Sequence, residues 1–87
     1  MSYDEFQNKC IELVKDYTND HLYRPDNKTI TENDVYIVWE CKTLQNNKAL
    51  LSTTLYDGMY YEITYNGDKN ELYFDAYKKL ENKCIKL

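Results

Sequence analysis

Apolar side chains recur at spacings of three and four near the start of the chain: Tyr3, Phe6, Cys10, Leu13, Val14, Tyr17 and His21. That period lines one face of a helix and predicts one over residues 2–21. Ser2 followed by Glu5 is a capping-box pattern, Asp4 and Glu5 suit the positive end of the helix dipole, and Met1 can staple onto Phe6. Lys9, Glu12, Lys15, Asp16 and Asn19 fall on the solvent side. The period is lost over residues 22–33. There Arg24-Pro25 disfavours helix and Asp26-Asn27 is turn chemistry. Leu22, Tyr23 and Ile30 are expected to tack this connection down, and its length in so small a domain points to function or mobility.

From Asp34 onward the pattern changes to alternation, the mark of a strand with one buried face. Residues 34–43 place Val35, Ile37, Trp39 and Cys41 inward and Tyr36, Val38, Glu40 and Lys42 outward. Gln45-Asn46-Asn47 reads as a turn. Residues 48–55 then form a second strand with Ala49, Leu51, Thr53 and Leu55 inward. The only glycines, Gly58 and Gly67, sit in Asp57-Gly58 and Asn66-Gly67, which predict two further turns with positive φ. A three-residue loop at Tyr56-Asp57-Gly58 pairs Leu55 with Met59 and Leu51 with Ile63, keeping every inward residue on one face. A Gly67-Asp68 loop pairs Ile63 with Leu72 and Tyr61 with Phe74, and avoids setting Glu62 opposite Glu71. The last two strands are therefore expected at 59–66 and 69–78. Residues 79–87 read as a short fifth strand, an irregular tail packing Leu80 and Ile85, or a helical turn.

The sum is a single α+β domain over residues 1–87: one N-terminal helix on one face of a four-stranded antiparallel meander. Its other sheet face is expected to carry Tyr36, Val38, Glu40, Tyr60, Glu62, Tyr73, Asp75 and Tyr77.

Composition narrows the function classes. At 43% hydrophobic with ten tyrosines the chain is too apolar for disorder. Net charge is −4, with acidic and basic residues mixed, which disfavours direct binding to nucleic acid or to anionic membrane. Residues 1–5 are polar and acidic where a secretion signal would be basic and then apolar, and no run is long enough to span a bilayer. Cys10, Cys41 and Cys84 are then expected as reduced thiols packed in a cytoplasmic protein.

Candidate chemistry is sparse. Pro25-Asp26 followed by Glu40-Cys41-Lys42 superficially matches a nuclease signature in which two carboxylates hold a divalent metal and the lysine orients water. Pro25-Asp26, however, sits in a turn-rich loop and a meander follows it. His21 is the only histidine and caps a helix end more readily than it catalyses. No cysteine pair has zinc spacing, and no glycine-rich phosphate loop is present. Neither serine, Ser2 or Ser52, has a histidine partner in pattern, so no serine triad is expected. No cofactor, metal or catalytic residue is expected.

The excess of tyrosine is more informative, because tyrosine is a large, rigid, amphipathic residue suited to binding surfaces and also simply a good strand residue. Acidic neighbours in place of arginine and lysine favour a protein over single-stranded nucleic acid.

Residues 35–77 resemble a family of small uncharacterised proteins of phages and prophages of Gram-positive bacteria. The resemblance rests on Asp34-Val35-Tyr36-Ile37-Val38-Trp39, Cys41-Lys42-Thr43-Leu44-Gln45-Asn46, Lys48-Ala49-Leu50-Leu51-Ser52-Thr53, Asp57-Gly58-Met59-Tyr60-Tyr61-Glu62 and Thr64-Tyr65-Asn66-Gly67-Asp68-Lys69. It implies a setting, an accessory protein in the bacterial cytoplasm, and no active site.

The functional expectation is a non-enzymatic protein that binds a host or phage protein, to inhibit a host defence or replication function, or that pairs with itself. The interaction face is expected at Tyr36, Glu40, Tyr60, Glu62, Tyr73, Asp75 and Tyr77. The alternative is a small-ligand binder that sequesters a nucleotide signal between tyrosine rings and the 22–33 loop; a minimal metal nuclease ranks third.

Overall fold

The structure is a computed structural model and describes residues 1–21 and 29–87. Helix α1 runs Tyr3–His21. A 3-10 turn at Glu32–Asp34 leads into strands β1 (Val35–Thr43), β2 (Asn46–Thr53), β3 (Met59–Asn66) and β4 (Glu71–Lys78). All neighbours are antiparallel in the order β1-β2-β3-β4. This is the α+β meander that the periodicity predicts. Residues 22–28 of the expected connection, including Leu22, Tyr23 and Pro25-Asp26, lie outside the described residues.

The capping box at the start of α1 is formed: the Glu5 amide donates to Ser2 Oγ (3.1 Å) and the Ser2 amide to Glu5 Oε1 (3.3 Å). That bonding holds the Glu5 carboxyl below its usual range, the Ser2 hydroxyl contributing most. At the other end His21 Nδ1 lies 2.9 Å from the Tyr17 carbonyl and the His21 ring stacks on Tyr17 at 4.0 Å. Asn19, expected in solvent, instead clamps the incoming chain: its side chain accepts from the Ile30 amide (2.8 Å) and donates to the Ile30 carbonyl (3.1 Å). Ile30 is thereby buried.

The core lies between α1 and the inner sheet face. Phe6, Cys10 and Val14 meet Ala49, Leu51, Tyr61 and Ile63, all buried. The helix stripe is rotated from the expected one, since Tyr3 is exposed and Thr18 is buried. Thr18 is tolerated there because its hydroxyl donates to Tyr61 Oη at 3.4 Å.

Four details depart from the expected sheet. First, the β1–β2 turn is the two residues Leu44-Gln45, with Leu44 at φ +56, and Asn46 and Asn47 already belong to β2. Second, β1 carries a bulge. Ile37 pairs with Leu51 but Trp39 with Leu50, so Val38 is the extra residue and every later side chain changes face. Trp39 and Cys41 therefore point outward, while Glu40 and Lys42 point inward, opposite Ala49 and Asn47. Third, β2 and β3 pair Leu51 with Tyr61 and Ala49 with Ile63, two residues from the expected register, so the connecting loop is longer than three residues. The Met59 amide bonded to Asp57 Oδ1 (3.1 Å) and the Thr54 amide bonded to the Asp34 carbonyl (2.9 Å) stabilise that longer loop. Fourth, β3 and β4 pair Ile63 with Phe74, again two residues off. Glu62 then faces Asp75. Shifts of two preserve the facing of every residue; only the bulge reverses it.

The glycines also differ in their reasons. Gly58 has φ +70 as expected. In the β3–β4 loop the positive φ belongs to Asn70 (φ +52). Gly67 is needed because the Gln45 backbone lies against it: a Cβ there would collide with the Gln45 carbonyl oxygen and sit 2.8 Å from Gln45 Cβ.

Of the cysteines only Cys10 is buried; Cys41 follows the bulge outward, and Cys84 lies in the exposed segment after β4. Burial pushes the Cys10 thiol up to about 12, with the nearby Glu40 carboxylate adding to the shift. Among the described residues no helix is long and apolar enough to cross a membrane.

Three outcomes follow from this packing. Gly67→Ala should destabilise the domain by about 1–3 kcal/mol, read as a lower melting temperature, because the Gln45 backbone must give way. Gly58→Ala should cost about 1 kcal/mol through its left-handed backbone alone. A Gly67→Ala variant that melts like wild type would refute the close approach. With a thiol reagent at pH 8, Cys41 and Cys84 should label at once and Cys10 only on unfolding; three fast thiols would place Cys10 at the surface.

Candidate functional site

The outer sheet face is built by alternation on four strands, and the register sorts it into rows across the sheet. One row reads Tyr36, Ser52, Tyr60, Tyr77; the next Trp39, Leu50, Glu62, Asp75; the third Cys41, Lys48, Thr64, Tyr73. Among the described residues no element lies over this face. Trp39 keeps 43% of its surface exposed, Tyr36 47%, Tyr73 51% and Tyr77 52%, high values for such large apolar rings. Ser52 is buried between them, its hydroxyl donating to the Met59 carbonyl at 2.8 Å.

The electrostatics are uneven. Glu62 and Asp75 stand directly opposite one another, a like-charge pairing that costs stability on a sheet. Lys48 Nζ offsets part of it at 3.3 Å from Glu62 Oε1. Tyr73 donates to Glu71 Oε2 at 2.6 Å, which raises the Tyr73 phenol pKa. Lys79 sits over the Tyr60 ring at 5.7 Å from its centroid, a cation–π distance. Aromatic rings thus flank a central acidic pair.

Of the expected face residues, Tyr36, Tyr60, Glu62, Tyr73, Asp75 and Tyr77 share this surface. Glu40 does not. The bulge turns it beneath α1, where Gln7 Nε2 donates to its Oε2 at 2.8 Å. Trp39 was missed for the same reason, since strict alternation through Val38 assigns it to the core; Leu50 falls outward by the alternation of β2 itself but was not named. The available signal was the short Leu44-Gln45 turn, which sets Trp39 opposite the outward Leu50.

Glu40 and Lys42 do share a face, as the nuclease signature needs, but it is the inner one, and Asp26 lies outside the described residues. Among the described residues no group of three His, Cys, Asp or Glu side chains is placed to hold a metal ion. Asn47, beside Lys42, is buried with neither amide atom bonded among the described residues.

A second concavity of about 270 Å³ opens on the inner side at the end of α1, lined by Tyr17, Thr18, His21, Asp57, Tyr61 and Lys78. His21 Nδ1 is committed to the helix carbonyl, and Asp57 Oδ1 to the Met59 amide. What remains to meet a ligand is an aromatic wall with one lysine, the other Asp57 carboxylate oxygen and His21 Nε2.

No curated protein and no solved structure matches this chain. Residues 7–87, from the first turns of α1 through the segment after β4, match the model of a family of unknown function, DUF6275, and the chain belongs to that family.

Proposed function

We propose that the protein is a non-enzymatic interaction module that docks a protein partner on the outer face of its sheet. The observation that carries this reading is the set of large rings, Tyr36, Trp39, Tyr73 and Tyr77, left open on a flat sheet. Trp and Tyr are enriched among the residues that dominate binding energy, because they bury large area at little conformational cost. The acidic pair Glu62 and Asp75 at the centre selects a partner that inserts a lysine or arginine between the rings, relieving a repulsion already present in the free protein. The resemblance to proteins of phages and prophages supports a host or phage protein as that partner, with inhibition of a defence or replication function as the consequence.

The concavity beside Tyr17, Tyr61 and Lys78 supports a second reading, sequestration of a nucleotide by ring stacking with a lysine on its phosphate.

Trp39→Ala, Tyr60→Ala and Tyr73→Ala should each weaken partner binding about 10- to 100-fold while leaving the melting temperature within a few degrees of wild type. The check is affinity capture from host lysate with wild-type and variant proteins side by side. A captured protein retained equally by all of them would sink the outer-face reading. Nucleotides that raise the melting temperature of wild type but not of Lys78→Ala would move the assignment to the concavity.

A further inference from the structure

The two edges of the sheet are β1 and β4, and they are not equivalent. The β1 edge is interrupted by the Val38 bulge, a device that blunts strand addition. β4 pairs regularly with β3 along its whole length, from Met59 with Lys78 to Asn66 with Glu71. It holds no proline, glycine or bulge, and α1 packs mainly over β1 and β2. Among the described residues nothing covers its outer edge. That edge is a row of backbone donors and acceptors ready for another strand.

The segment that follows it lacks a place of its own. The ladder ends where the Lys79 amide donates to the Gly58 carbonyl at 2.7 Å. Residues 80–87 then run without secondary structure, every one exposed, with Leu80 at 92% and Ile85 at 77%. The family match extends through this segment, so it is part of the domain the family defines. Its charge is opposite to that of the body. Residues 80–87 carry two lysines against one glutamate, a net +1, while residues 1–79 carry nine basic against fourteen acidic residues, a net −5. The chain-wide mixing of charge therefore conceals a weakly basic, partly apolar segment attached to an acidic body.

We propose that two copies associate about a two-fold axis, residues 80–87 of each adding antiparallel to the free β4 edge of the other. No glycine, proline or asparagine stands at Lys79-Leu80 to turn the segment back on its own edge, so a second copy presents the antiparallel partner. Placing the axis at Lys79 sets residues 71–78 opposite residues 80–87. Tyr73 then meets Ile85 of the second copy, Asp75 meets Lys83, and Phe74 meets Cys84, so an aromatic/β-branched pair and an opposite-charge pair form on one face. Sliding the register by two in one direction sets Asp75 against Glu81, and in the other against Ile85, losing the ion pair. The outer face of each copy stays open, with a fifth strand now added to each four-stranded sheet.

Light scattering on the full chain should give about twice the 10.5 kDa chain mass. Deleting residues 80–87 should give a monomer that still melts cooperatively. Asp75→Lys and Lys83→Asp should each weaken dimerisation about tenfold, and the double variant should restore it. A monomeric wild type at 100 μM overturns the proposal, as does a dimer that survives the deletion. Loss of the dimer on Tyr60→Ala with the deletion silent would place the interface on the outer face and overturn it equally. Charge variants that fail to weaken the dimer, or a double variant that fails to rescue it, overturn the pairing. The deletion leaves Trp39, Tyr60 and Tyr73 intact, so partner capture through the outer face is tested separately.

Discussion

A single helix has to cover a four-stranded sheet, and it is too narrow to do so. A helix with its side chains is about 10 Å across, and strands lie about 4.8 Å apart, so one helix covers roughly two strands. Here α1 settles over β1 and β2, and its apolar stripe closes on Ala49 and Leu51 with Tyr61 and Ile63 filling the far side. The remainder follows from that shortage of cover. Leu72 and Phe74 on β4 are only half-buried, and Tyr17 reaches out from the helix to meet Phe74 at 5.2 Å between ring centroids. The opposite face of the sheet has no covering layer at all among the described residues. The molecule measures 44 × 41 × 19 Å, so two of its dimensions are more than twice the third. A thin slab of this kind exposes one sheet face and one sheet edge by construction, and those are the two surfaces that carry its exposed rings and its unpaired strand.

Much of this was readable from residue order alone. The helix and four strands follow from two hydrophobic periods, and the facing of β2, β3 and β4 survived registers that were each two residues off. The errors have one physical origin apiece. The wrong β3–β4 register came from assigning Gly67 a positive φ, when it serves a close approach to Gln45 and Asn70 supplies the left-handed residue instead; the wrong β2–β3 register came from too short a loop around a Gly58 whose positive φ was read correctly. Side chains such as Asp57, which bonds the Met59 amide, stabilise longer loops that turn statistics rank below the short ones.

The bulge is a different kind of failure. Val35 and Ile37 must face inward to meet Thr53 and Leu51, while the Leu44-Gln45 turn forces Cys41 and Trp39 opposite Lys48 and Leu50 on the outside. Those two demands differ by one residue, and Val38 absorbs the difference. Neither end of β1 announces the conflict on its own; it emerges only when the strand is paired at both ends. Its consequence is chemical as well as geometric, because it exchanges Glu40 for Trp39 on the open face. The carboxylate goes beneath α1 to Gln7, and the largest ring in the chain comes out to solvent.

Tyrosine shows why function was harder to read than fold. Tyr61 and Tyr65 are core residues, buried and bonded through their hydroxyls to Thr18 and Asn70. Tyr36, Tyr73 and Tyr77 occupy similar alternating patterns on the other face with half their surface exposed. The side chain is the same, an apolar ring with one polar atom, and it satisfies either environment. Composition therefore cannot separate a tyrosine that fills a core from one that waits for a partner. Burial separates them, and burial here is fixed by where one narrow helix falls short.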